Sequence, residues 1–162
     1  AFALAAPRLA GFHGGLTIRH QTWAEDAERV RNAYADAGVD AAVEPFIDAM
    51  DEAYAWCHAC VCRAGATTVA ELAAVGRPAL LIPFPQAAGD HQRANARGLA
   101  ELGAAIWLDQ GSLDTEALVQ ALERLAEPGT RRNMAAKLAS VARPRAAEEI
   151  AGLVAVMAGG GA

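Results

Sequence analysis

The stretch ACVCRAGATTVAELAAVGRPALLIPF, residues 59–84, reads as strand, turn, helix and strand in succession. Its opening ACVC (59–62) suits a buried strand, TVAELAAVG (68–76) a helix closed by Gly76, and ALLIPF (79–84) a second buried strand. A strand that returns through a helix to another strand pairs with it in parallel, the helix lying over one face. The same alternation continues in both directions. Upstream, LTIRH (16–20) and AAVEPF (41–46) are strand-like, with helical patterns over 24–38 and 47–57. Downstream, a helix over 90–103 leads to the strand AAIWL (104–108), and then helices follow at about 113–126, 130–141 and 145–157. The expected fold class is α/β, a doubly wound parallel sheet, in which ligands occupy the crevice beyond the carboxyl ends of the strands. Residues 1–157 read as one domain and 158–162 as a flexible tail.

Charge and composition narrow the partners. A net charge of −5 argues against nucleic acid, because neutralising phosphates requires a basic face. No uninterrupted apolar run reaches the roughly 18 residues of a membrane span. The opening AFALAAPRLAGF carries no basic leader and is broken by Pro7 and Arg8, so it makes a poor signal peptide. All three cysteines fall within six residues, too close to staple distant segments, which points to a reduced cytoplasmic setting.

Those cysteines also raise the question of a metal. Cys57, His58, Cys60 and Cys62 are zinc-ligand types, but a closed zinc site takes a second pair of ligands from elsewhere. His13, His20 and His91 each stand alone. Cys60 and Cys62 share one strand face, where free cysteine packs as a small hydrophobe. The expectation is no metal and no cofactor.

The turn after the first strand is a candidate anion site. Gly65 allows close backbone approach, and Thr67 and Thr68 stand at the start of a helix, where free N–H groups and the dipole favour a phosphate. Thr68-x-x-Glu71 also matches a capping box, in which Glu71 only satisfies backbone; the two readings both stand on pattern alone. A second loop, Pro85-Gln86-Ala87-Ala88-Gly89-Asp90-His91-Gln92, points at the same crevice. Asp90 suits an N-cap, while Gln92 and Asn95 suit sugar hydroxyls or plain solvation.

RAGATTVAEL (63–72), GRPALLIPFPQAAGDHQRANA (76–96), LTIRHQT (16–22) and EPFIDAM (44–50) together resemble the donor half of the MurG family of lipid II pathway transferases. The resemblance runs from about residue 4 to about 155, and Trp23 departs from the glycine usual there. It implies an inverting, metal-independent transferase of the two-domain GT-B type. Such an enzyme moves N-acetylglucosamine from UDP-N-acetylglucosamine to undecaprenyl-linked muramyl pentapeptide, converting lipid I to lipid II at the cytoplasmic membrane face. Carried over, the Ile47 backbone holds the uracil, and Ala66, Thr67 and Thr68 line the diphosphate and sugar. Val69 and Ala70 lie along that turn, Glu71 holds the ribose diol, and Gln92 holds sugar hydroxyls. The family's catalytic base, lipid I acceptor surface and membrane contact belong to an amino-terminal half, so no catalytic residue is expected in this chain. Two other readings remain: a fragment that only binds UDP-sugar, and another GT-B transferase or epimerase.

The resemblance also places a first strand, ending in a glycine-serine loop, ahead of this sequence. In the order 3-2-1-4-5-6 that strand is central. Its absence predicts a slot of roughly 9–10 Å, two strand spacings, between 16–20 and 59–62. Two unpaired inner edges then invite association, so the isolated chain is expected to be unstable or completed by another polypeptide.

Overall fold

A computed structural model describes residues 5–12 and 15–159; His13 and the end of the expected tail, 160–162, lie outside the described residues. Among the described residues five strands form in chain order: β1 (Thr17–Gln21), β2 (Asp40–Glu44), β3 (Cys60–Cys62), β4 (Ala79–Leu81) and β5 (Ala105–Trp107). Among the described residues eight α-helices accompany them: α1 (Ala6–Leu9), α2 (Ala27–Asp36), α3 (Met50–Trp56), α4 (Ala66–Val75), α5 (His91–Glu101), α6 (Thr115–Ala126), α7 (Pro128–Val141) and α8 (Ala146–Gly159). Helix α8 thus runs two residues into the stretch read as a tail. Every strand pair is parallel.

The sheet is in two pieces. β1 pairs with β2, β4 lies between β3 and β5, and among the described residues no ladder joins β1 to β3. The division falls where the sequence reading left its slot. Strand alternation distributes the larger sheet's side chains to both faces. Leu80 and Ile106 pack against Leu118, Ala121 and Leu125 of α6. Ala79, Leu81 and Ala105 meet Leu72 and Ala73 of α4 and Ala96 and Leu99 of α5 on the other face. Helix α7 contributes Met134 to the first cluster and Leu138 to the second.

The smaller sheet has its own cluster, in which Val43, Val39 and partly buried Ile18 meet Val30 and Tyr34 of α2. Helix α1 straddles the division: Ala5, just before it, joins the Leu80 cluster, while Ala6 and Leu9 join the Tyr34 cluster. Leu122 of α6 touches both. Helix α4 ends at Gly76, whose φ of 62° lets its N–H reach back to Ala73 and Arg77 N–H to Leu72.

One titratable contact sits inside the smaller cluster. His20 Nδ1 lies 2.8 Å from the Tyr34 hydroxyl, and burial holds the His20 pKa below its ordinary 6.5. The unfolded chain therefore binds the extra proton first as pH falls. Stability should decline from pH 6.5 down to the lowered folded value, with one proton setting a ceiling of about 1.4 kcal/mol per pH unit. Urea titrations at several pH values should show that slope flattened in His20→Gln.

Candidate functional site

The carboxyl ends of β3, β4 and β5 open onto three loops, and one arginine gathers them. Arg63, the first residue after β3, donates from Nη1 to the Ile82 carbonyl at 3.0 Å, the Pro83 carbonyl at 3.2 Å and Gln110 Oε1 at 2.6 Å. Its guanidinium also lies 5.4 Å from the Phe84 ring centre, a cation–π distance. A second tie runs from Arg93 of α5 to Asp109 after β5, at 2.8 Å.

The β3–α4 turn is joined directly to α5. Asn95 Nδ2 donates to the Ala64 carbonyl at 3.0 Å, and Ala64 is fully buried. Gln92, one turn earlier on α5, accepts at Oε1 from the Phe84 N–H at 2.9 Å. That bond fixes the side chain through its oxygen, and the NH₂ group of the same amide is a donor. The two loops read from the sequence as facing one crevice are therefore held together at one rim.

Helix α4 begins at Ala66, with Gly65 as its N-cap and no side chain capping it. Its first internal bond runs from Val69 N–H to the Gly65 carbonyl. The N–H groups of Ala66, Thr67 and Thr68 precede that ladder and lie at the positive end of the helix. The capping box is not formed: Thr68 is already inside the first turn. Ala66, Thr67 and Ala70 are exposed, and Thr68 and Val69 are half-buried.

Glu71, also exposed, accepts at Oε2 from the Tyr54 hydroxyl of α3 at 2.9 Å. Burial, and then the Glu71 contact, push the Tyr54 pKa upward, so the phenol stays a donor. The buried phenol thus orients one carboxylate oxygen, Oε2, of the exposed Glu71 side chain.

Ile47 follows β2, on the smaller sheet, and is buried. Its N–H donates to Gln21 Oε1 at 3.1 Å, so that amide is already occupied within the chain. The route from Ile47 to α4 passes through α3 and the Tyr54–Glu71 bond. Trp23 is 76% exposed with an extended backbone (φ −57°, ψ 146°), so it leaves its turn uncrowded. Asp90 occupies the N-cap position of α5 but makes no capping bond. It sits instead in the left-handed region at φ 54°, directly after Gly89 at φ 65°. Non-glycine residues held there mark turns under local constraint.

Sequence reasoning missed Gln21, Tyr54, Arg63, Asp109 and Gln110 as parts of this rim. Arg63 alone left a signal, as a cation placed directly after a short apolar run. That run was expected to be buried, but β3 is half-buried at Cys60 and Cys62 and exposed at Val61. Among the described residues no three histidine, cysteine, aspartate or glutamate side chains gather as a metal requires. Two open depressions lie along α2 and at the amino ends of β1 and β2, away from these loops.

The family model for the glycosyltransferase family 28 C-terminal domain matches residues 3–150. The chain belongs to glycosyltransferase family 28. Among relatives of this family 28 domain, the UDP-N-acetylglucosamine–N-acetylmuramyl-(pentapeptide) pyrophosphoryl-undecaprenol N-acetylglucosamine transferase of Aromatoleum aromaticum is 49% identical over 143 residues. That match covers 88% of this chain and 40% of the relative. The same-named transferase of Syntrophotalea carbinolica is 52% identical over 124 residues, covering 76% and 35%. The family 28 domain thus spans about two-fifths of the curated relatives it matches. Acinetobacter baumannii MurG, a crystal structure, superposes with a TM-score of 0.83 at 36% identity, over 94% of this chain and 47% of that one. The α/β arrangement is therefore that of a GT-B glycosyltransferase domain. A spinosyn forosaminyltransferase, with a TM-score of 0.57 at 18% identity over 90% of this chain and 45% of that one, shares the fold alone.

Proposed function

We propose that this domain holds UDP-N-acetylglucosamine and serves as the donor half of an inverting transferase. The acceptor is undecaprenyl-pyrophosphoryl-muramyl pentapeptide, and the product is the disaccharide lipid of peptidoglycan synthesis. The observation that carries this reading is the Asn95–Ala64 bond, which puts the uncapped start of α4 and the Gln92 side chain at one rim. The N–H groups of Ala66, Thr67 and Thr68 meet the diphosphate, whose charge grows as the sugar leaves. Val69 and Ala70 shape the turn, Glu71 takes the ribose diol, Gln92 donates to sugar hydroxyls, and the Ile47 carbonyl meets the uracil. The acceptor lipid and the catalytic base are the work of the rest of the transferase, and the domain operates at the cytoplasmic face of the membrane. No helix among the described residues is long and apolar enough to cross one.

Calorimetric titration tests the donor reading. UDP-N-acetylglucosamine should bind more tightly than UDP-glucose or UDP, and absence of binding by all three overturns it. The chain alone should not transfer sugar to a lipid I analogue.

Gly65 offers a sharper test. Its φ of −62° and ψ of 152° suit any residue, and an added Cβ would meet only Thr68 Oγ1, at 3.7 Å. Nothing among the described residues requires glycine there, whereas a ligand against the turn would. Gly65→Ala should change stability by less than about 1 kcal/mol, since the poorer cap and the smaller unfolded-state entropy offset one another. Donor affinity should fall by about tenfold or more, close to 1.4 kcal/mol. Unchanged affinity by calorimetry would remove the diphosphate from this turn.

A further inference from the structure

Cys57-His58-Ala59-Cys60 forms the turn between α3 and β3 and has no part in the donor reading. The Cys57 and Cys60 sulfurs lie 3.5 Å apart. Cys57 caps the end of α3, and its Sγ also faces the Tyr54 carbonyl at 3.7 Å. Cys60 opens β3, with its N–H bonded to the Pro78 carbonyl at 2.9 Å. Both ends of the turn are thus anchored by backbone, and both thiols are half-buried. A disulfide needs the sulfurs about 2.05 Å apart, so closure takes a movement of about 1.5 Å, within reach of side-chain rotation.

We propose that Cys57 and Cys60 form a reversible dithiol–disulfide pair, with Cys57 attacking and Cys60 resolving. The two thiols are electronically unequal. The hydrogen bond from Cys60 brings the Cys57 thiol down to about 7, with the Arg77 guanidinium also favouring thiolate against the opposing effect of burial. The same bond and burial push Cys60 strongly upward. Burial lifts Cys62 to about 12, and its side chain packs against the α4–α5 core. A lowered thiol beside a cation is the microenvironment of a reactive cysteine.

With a small disulfide such as oxidised glutathione the exchange balances. The Cys57 thiolate attacks one sulfur, forming a mixed disulfide and expelling one glutathione thiolate. Cys60 then gives its proton to that thiolate or to water and attacks Cys57 Sγ, expelling the second glutathione. The protein loses two hydrogens and two electrons, and one glutathione disulfide becomes two thiols.

The whole chain, incubated with excess oxidised glutathione and quenched in acid, should lose about 2 Da and keep one thiol open to alkylation. Fragmentation of the peptide should place the surviving label on Cys62. Cys60→Ser should stop at a glutathione adduct on Cys57, and Cys62→Ser should still close. In the reduced wild-type chain, brief alkylation should label Cys57 at least about tenfold faster than Cys60. This last measurement needs no variant to fold, and none of the arms uses a nucleotide sugar. No mass loss, a bond that includes Cys62, or Cys60 labelled first would overturn the proposal.

Discussion

Glu71→Gln should bind UDP-N-acetylglucosamine about 10- to 100-fold more weakly than the wild type, with little change in melting temperature. The side chain is exposed, so the fold asks little of it. Its one internal bond, from the Tyr54 hydroxyl at 2.9 Å, survives because a glutamine Oε1 still accepts. What is lost is the charge on the oxygens facing the crevice. A hydrogen bond to a charged group contributes about 1.5–3 kcal/mol, and each 1.4 kcal/mol is tenfold in affinity. Calorimetry at matched pH reads the change directly. Equal affinity in the two proteins would mean that the ribose diol is held elsewhere.

Leu72→Ala should lower unfolding free energy by about 2–5 kcal/mol, the cost of removing a buried leucine side chain and leaving a cavity. Leu72 has no exposed surface and packs in one cluster with Tyr54, Leu81, Ala96 and Leu99. The loss would be a large share of the 5–15 kcal/mol typical of a domain. It falls on the helix that carries Thr67, Thr68 and Glu71, so donor binding should weaken alongside. Val75→Ala on the same helix, at 44% exposure, should cost less than about 1 kcal/mol. Urea midpoints that move equally in the two variants would contradict the core described here.

The succession of parallel strands along the chain was legible because each short apolar run is followed by a helical period and then another run. Strand lengths were less so. The run 79–84 narrows to Ala79–Leu81, although Ile82 N–H still bonds to the Cys62 carbonyl; Pro83 has no N–H with which to extend the ladder. Helix α1 was missed because Pro7 looked like a break, whereas proline in a first turn suits a helix start. Its four residues are held by burial of Ala6 and Leu9 rather than by helical periodicity.

In the site, local pattern misled at Thr68. The capping box is a pairing between near neighbours, while the bonds that organise the rim join residues far apart. Glu71 meets Tyr54 across 17 positions, Ile47 meets Gln21 across 26, and Arg63 meets Gln110 across 47. No local pattern of a few residues links the two members of such a pair. The resemblance supplied the residues assigned to the donor, and the folded chain supplied the partners that hold Glu71, Gln92 and Ile47 in place.

The divided sheet has a mechanical consequence. Under the proposed assignment the nucleobase end of the donor rests on the β2 side, and its pyrophosphate and sugar rest on the β3–β4 side. A bound molecule would then bridge the seam like a rivet, resisting relative twisting of two blocks that share no strand-to-strand ladder. Such cargo would brace its carrier.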